Sequence, residues 1–381
     1  MAQDAQLLTN QAPATRRIGV RDLLAPMTPE EFLDGHFDRN PLHFPGPADR
    51  FADVFTWEQA AALLNMTTLW SASTLKVVLD GKLVRTEDYC VSQQNRDGAP
   101  VPQPDPKRVQ ALIRQGATIS LNFVETMSPE IAAIAAALQC WFDGEAVCNI
   151  YCSWSGHQGF ASHFDFHDVF VLQIDGTKVW NIYEGRFDQA AHVEGYRSDS
   201  FPDELHAKAR GAVQLEATMT PGDVLYIPRG QYHDALATSD ASMHLTFGVE
   251  FLSGFYFLGA IANALQQEPF FRQTLPRFDR PDAHRAHLRK LAEQVHAYML
   301  KPGLARNIRK QQRLRAFAHC FPSYALPSAE PPQVFRVRSL RTQVVGRGAG
   351  WRLERPKGGH DLSAEDARLA EWLLPQDYFS T

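Results

Sequence analysis

The 381-residue chain is 44% hydrophobic and 21% charged, an ordinary globular composition with enough length for a large core and more than one domain. No apolar run is long enough to span a bilayer. The first residues lack the apolar core of a secretory signal, so 1–27 reads as a flexible leader. Five cysteines at irregular spacings (Cys90, Cys140, Cys148, Cys152, Cys320) form no zinc ribbon or redox pair, which points to reduced thiols and a cytoplasmic location. The net charge of −5 is uneven: residues 301–357 carry 13 Lys and Arg against Glu330 and Glu354. That balance suits a solvated basic face, with weak nucleic-acid contacts at most.

In chain order, Thr28, Pro29 and Glu31 form a helix start with a capping box, predicting a helix to about His36. Helices are also expected over 56–64, 107–115 and 129–142, the last from Ile131, Ile134 and Leu138 at helical spacing. Residues 91–106 read as a loop. Short strands are then expected over 146–152, 160–166, 168–174, 178–183, 212–218, 223–227, 232–237 and 243–251, separated by turns at Asp175-Gly176, Pro221-Gly222 and Arg229-Gly230. Strands at this density predict an antiparallel barrel or double-stranded jelly roll. Helices return over 254–267, 282–299 and 302–318. A Pro-rich linker over 322–332, a basic strand-like stretch over 334–353 and a last helix over 363–374 suggest a small winged-helix-like end.

The segment His163-Phe164-Asp165 carries the chemistry. Residues i and i+2 of a strand share a face, so an imidazole and a carboxylate would converge. A second histidine completes a facial triad with open positions, the donor set that suits non-haem Fe(II). His233 follows a turn, an apolar strand and a second turn, in the tract Pro221-Gly222-Asp223 to Pro228-Arg229-Gly230-Gln231-Tyr232-His233, and so returns to the interior. His167 is the competitor. Three same-face ligands on one strand would spread over ~13 Å, too far for one ion with ~2.1 Å bonds, so His167 belongs near the metal and outside its shell. Lys178 opens the return strand of the hairpin at Asp175-Gly176. A buried ammonium there would need an anionic partner, but spacing alone leaves an ordinary solvent-facing lysine ahead.

Asn149-Ile150-Tyr151, Gln158 to Asp165, Asp168 to Trp180, Pro221 to His233 and Ser242 to Thr246 resemble the JmjC ribosomal oxygenases of the cupin type. Arg39-Asn40-Pro41-Leu42-His43-Phe44 is similar to that family's N-terminal segment. The resemblance implies an α+β chain: N-terminal helices, a JmjC double-stranded β-helix over 28–253, a helical dimerisation-like region over 254–320, and a small domain over 321–381. It implies Fe(II), 2-oxoglutarate and O2, with His163, Asp165 and His233 as iron ligands and Lys178 as partner of the far carboxylate of 2-oxoglutarate. Asn149 and Tyr151 would line the cosubstrate and substrate pocket. Gly248, where some relatives carry a serine, Ser120, where relatives carry an arginine, and the loop Ser153 to His157 depart from the family around the pocket. The implied activity is hydroxylation of a protein or peptide side chain by a homodimer. A small natural product as substrate, and a non-catalytic metal-binding cupin acting as sensor or scaffold, are the alternatives. Phe255, Phe257, Leu258, Ile261, Leu265, Phe270 and Phe271 are the apolar residues available for the dimer.

Overall fold

The computed structural model describes residues 18–94, 98–154, 156–157, 159–191, 201–251 and 253–308, together with the backbone of five short strands further along. The N-terminal part comprises α1 (Val20–Leu24), α2 (Pro29–Gly35), β1 (Leu42–Phe44), α3 (Trp57–Asn65), β2 (Leu75–Leu79), β3 (Lys82–Leu83), α4 (Thr86–Tyr89), β4 (Cys90–Gln94), β5 (Pro100–Pro104), α5 (Pro106–Arg114), β6 (Thr118–Asn122) and α6 (Pro129–Phe142). The strand-rich part comprises β7 (Glu145–Trp154), β8 (Asp168–Asp175), β9 (Lys178–Arg186), α7 (Asp203–Ala209), β10 (Val213–Met219), β11 (Val224–Ile227), β12 (Gln231–Ala237) and β13 (Ala241–Glu250). Then come α8 (Gly254–Leu265), α9 (Pro281–Met299) and the short strands β14 (Val334–Arg336), β15 (Gln343–Arg347), β16 (Gly350–Arg355), β17 (Gly358–Leu362) and β18 (Tyr378–Ser380). The linker 322–332, the helix expected over 363–374 and the end of that expected over 302–318 lie outside the described residues.

Two antiparallel sheets make the jelly roll. The larger runs β1-β11-β8-β13-β7-β6-β2-β3, and the smaller β10-β9-β12. Between them, Val169, Val171, Leu225 and Ile227 of the large sheet meet Trp180, Ile182, Ala217, Met219 and Ala235 of the small one. The period-2 alternation of strands decides the rest. Met243, Leu245, Phe247 and Val249 of β13, and Ala146, Cys148, Ile150 and Cys152 of β7, face the helices. His244, Thr246, Asn149, Tyr151 and Ser153 therefore face the interior.

The helical layer is built on Phe32 of α2, whose ring meets Phe44, Phe142 and Tyr226 edge-on at 4.8–6.4 Å between centroids. The capping box is present, with Thr28 Oγ1 accepting from Glu31 N at 3.2 Å and Glu31 Oε2 accepting from Thr28 N at 2.9 Å. Packed structure starts earlier than the expected leader allowed. Val20, Leu23 and Leu24 are fully buried, so residues 18–27 belong to the packed structure, while 1–17 lie outside the described residues.

Two expectations are corrected. The 91–106 segment is a hairpin, β4 with β5, and not a loop. Pro100, Pro102 and Pro104 alternate along an edge strand, where their missing N–H groups cost no pairing. Residues 160–166 form no regular strand. They touch neighbours through single bridges, Gly81 with Phe160 and His163 with His233.

Under the large sheet lies a buried acid. The Tyr226 hydroxyl donates to Asp168 Oδ1 and accepts from Asp38 N at 2.9 Å, while Arg186 and Arg229 both reach Asp38. Burial pushes the Asp168 carboxyl up to about 7, against the opposing Tyr226 bond. Its other oxygen has no partner among the described residues. The folded state thus holds a proton that the unfolded chain releases near 3.8. Stability from this group is fully present below that value and declines as pH rises to about 7, by on the order of 4 kcal/mol. Asp168→Asn should flatten that slope in urea midpoints measured from pH 4 to 8. An unchanged slope would refute the assignment.

Candidate metal centre and cosubstrate pocket

His233 and the 163–165 segment are brought together by main-chain bonds. His163 N donates to His233 O at 3.0 Å and His233 N to His163 O at 2.8 Å, while Gly230 N donates to Asp165 O at 2.7 Å. The side chains follow. His163, Asp165 and His233 each offer one ligand atom, all within 4.8 Å of one another, and His233 Nε2 lies 3.6 Å from Asp165 Oδ2. Both imidazoles are preset. Nδ1 of His163 contacts Ala161 O at 2.8 Å, and Nδ1 of His233 contacts Gln231 O at 2.9 Å. A carbonyl only accepts, so each Nδ1 carries the proton and each Nε2 keeps its lone pair.

The electrostatics suit a cation. Burial, then the neighbouring His163 charge, lowers the His233 pKa to about 4, so its ring is neutral and available as a ligand. Burial opposes the charge on Asp165, but His167, His163, His233 and Lys76 outweigh it, holding the carboxyl below its usual range. Two imidazoles and a carboxylate, with His163 and Asp165 partly open to solvent, fit a divalent iron that keeps free positions.

His167 is not in the cluster of possible ligands. Its ring lies against the main chain of Gly248. A side-chain carbon built there would fall 1.9 Å from His167 Cδ2 and 2.2 Å from Nε2. The glycine at 248 and the histidine at 167 thus belong together: the ring occupies the space of the missing side chain.

Lys178 is 3% exposed and points inward from β9. Its Nζ donates to Ser153 Oγ at 3.0 Å, and Thr118 Oγ1 donates to the same oxygen at 3.1 Å. Burial lowers the ammonium to about 8, so an anion beside it would be welcome. Ser153 accepts twice, leaving its own proton for a further acceptor. Sequence reading saw Ser153 only as part of a divergent loop; its place on the Tyr151 face of β7 was the available signal. Asn149 Oδ1 accepts from Phe123 N at 3.3 Å. Tyr151 stacks on the buried His244 at 4.9 Å, and burial, then the Asp165 charge, raises its hydroxyl to about 12. Ser120 is buried and donates to Asn122 Oδ1 at 2.7 Å.

Two facing antiparallel sheets with a two-histidine, one-carboxylate cluster are the arrangement of a cupin fold, and residues 123–254 match the JmjC domain family model. The chain is 30% identical over 265 residues to ribosomal oxygenase 1 of Gallus gallus, covering 67% of this chain and 41% of the relative. It is 29% identical over 226 residues to the bifunctional lysine-specific demethylase and histidyl-hydroxylase NO66 of Dictyostelium discoideum, covering 59% and 41%. The chain thus spans about two fifths of the length of these curated relatives. The fold is similar to that of the Escherichia coli ribosomal oxygenase YcfD in complex with cobalt and 2-oxoglutarate, with a TM-score of 0.52 at 18% identity, covering 93% of this chain and 91% of that one.

Gly248→Ser should cost about 1–3 kcal/mol in urea unfolding, because the His167 ring must move. Adding His167→Ala should recover most of the loss. Strictly additive losses would show that the two sites are not coupled.

Proposed function

We propose that this protein is a 2-oxoglutarate- and Fe(II)-dependent oxygenase that hydroxylates an amino-acid side chain of a protein or peptide. The observation that carries the reading is that the His163, Asp165, His233 cluster and the buried Lys178 ammonium share the interior face of the small sheet, His233 beside Ile182 and Lys178 further along the same strand pair. His163 and His233 would bind iron through Nε2 and Asp165 through its carboxylate. When bound, iron and 2-oxoglutarate supply the oxidising power drawn from O2. The chain does the positioning. Lys178 would pair with the far carboxylate of 2-oxoglutarate, and the free Ser153 proton would add a second bond. Trp180 and Ile182 keep water from that end. Asn149 and Tyr151 would line the route between cosubstrate and substrate.

The relatives named ribosomal oxygenase support a ribosomal protein as the substrate class. The departures at Gly248 and Ser120 alter the pocket wall and leave the donor set intact. A cytoplasmic location belongs to the same reading: Cys90, Cys140, Cys148 and Cys152 form no disulfide, and no helix among the described residues is long and apolar enough to cross a membrane. The basic stretch 301–357 would add weak nucleic-acid contacts at most.

Binding of Fe(II) and 2-oxoglutarate without oxygen should give a visible metal-to-ligand charge-transfer band. Lys178→Ala should weaken 2-oxoglutarate binding at least tenfold, and His163→Ala or Asp165→Ala should abolish the band and 2-oxoglutarate turnover. Bound iron with no band would leave a metal-binding cupin without this activity.

A homodimer through α8 and α9 is part of the proposal. Phe255 is 66% and Leu258 50% exposed, and Phe278 between the helices is 85% exposed. Ile261 and Leu265, also candidates for that surface, are instead buried and unavailable to it. Sedimentation at micromolar concentration should give a dimer that Phe255→Asp with Leu258→Asp splits. A wild-type monomer would count against it.

A further inference from the structure

On the face of the small sheet turned away from the pocket, one carboxylate gathers several donors. Asp234 is 8% exposed. Its Oδ2 accepts from Ser162 Oγ at 3.1 Å and from the Tyr183 hydroxyl at 2.5 Å, and its Oδ1 accepts from Asn181 Nδ2 at 3.0 Å. Arg210 donates to the Tyr183 hydroxyl at 3.4 Å, and its guanidinium lies 4.8 Å from the centroid of that ring. Asn181 and Asp234 are register partners, so these groups tie β9 to β12. The bond to Ser162 does something else: it reaches out of the sheet to the irregular segment that carries His163 and Asp165.

Asp234 follows His233, and Ser162 precedes His163. Side chains alternate along β12, so Asp234 points outward where His233 points inward. The 160–166 segment has no regular strand pairing. It hangs on the His163–His233 main-chain pair, on Gly230 N to Asp165 O, and on Ala161 N to Gly81 O at 3.3 Å. These main-chain bonds and the buried Phe164 hold the backbone of the segment, but none of them links the side chains that flank the two histidines. The outer-face bond from Ser162 to Asp234, one residue from each histidine, does.

We infer that Asp234, acting through Ser162, is a positioning residue that sets the separation of His163 and His233 and so the affinity of the centre for a divalent metal. The inference rests on the reading of those histidines as ligands. A carboxylate is needed there because all three neighbours donate. An amide at 234 keeps one acceptor oxygen where the carboxylate has two, so it either turns an N–H toward Ser162 and Tyr183 or forces the Asn181 amide to reverse.

Cobalt(II) titration of the full-length protein, followed by the visible absorption of the bound ion, tests this. Asp234→Asn and Ser162→Ala should each weaken cobalt(II) binding roughly tenfold or more and shift the absorption of the bound ion. Asp223→Asn is the matched control. Asp223 is also buried and multiply bonded, to His43, Gly46 and Thr220, with none of the 160–166 segment among those partners. It should lower Tm and leave the cobalt(II) affinity within about twofold of wild type. Should Asp234→Asn fail to fold, Ser162→Ala decides alone, since it leaves the Asn181 and Tyr183 bonds in place. Wild-type affinity and spectrum in Ser162→Ala, or equal losses in Asp223→Asn, would overturn the inference and leave the metal centre standing. No cobalt(II) binding by wild-type protein would instead overturn the metal centre itself.

Discussion

The site depends on two main-chain hydrogen bonds, those by which His163 and His233 each donate to the carbonyl of the other. Seventy residues of chain separate these histidines, and nothing local holds them together. The β8–β9 hairpin turns the chain from the large sheet to the small one, and β11 and β12 bring it back beside the start. Once the bridge closes, both Nδ1 protons are occupied by carbonyls at 2.8–2.9 Å. Both Nε2 lone pairs are then committed to the pocket. A free imidazole can present either nitrogen; here the tautomer is decided before any metal arrives.

The interior between the two sheets carries two polar clusters among apolar side chains. At one end stand two imidazoles and a carboxylate; at the other, an ammonium sits against a serine already used twice as an acceptor. Val169, Val171, Trp180, Ile182, Leu225 and Ile227 form the apolar body. Burial makes each charge costly until an opposite charge arrives. A dicarboxylate and a divalent cation together would offset both costs, which ties the burial of Lys178 to the chemistry of the triad.

Much of the site was legible because a strand has a period of two and a hairpin reverses direction. The turn at Asp175-Gly176 before Lys178 and the turn at Arg229-Gly230 before His233 place these two residues on the interior, whereas His163 and Asp165 converge in a segment that forms no regular strand, so their i, i+2 spacing did not decide the meeting. His167 lay outside the cluster, yet not by the expected reasoning. The 160–166 segment is not a straight strand, so the argument from spacing along it does not apply. The ring goes elsewhere because Gly248, on a strand eighty residues away, leaves room for it. The hairpin of β4 and β5 was missed because prolines suggest a loop, and an edge strand that needs no N–H from them could not be foreseen from composition.

By itself, the sequence determined the jelly-roll class, the approximate places of the strands β7 to β13 (but not the absence of a strand at 160–166) and the donor types of the triad, since these follow from local periodicity, turn residues and side-chain chemistry. Only tertiary structure decided which lone pairs face the pocket, that Ser153 and Thr118 surround Lys178, that Asp234 reaches Ser162, and which apolar residues of α8 remain exposed. Each of those depends on a partner distant in sequence. Local residue patterns carry no record of which surface a folded chain will bring opposite, because the energy that selects it is the burial and pairing of the whole.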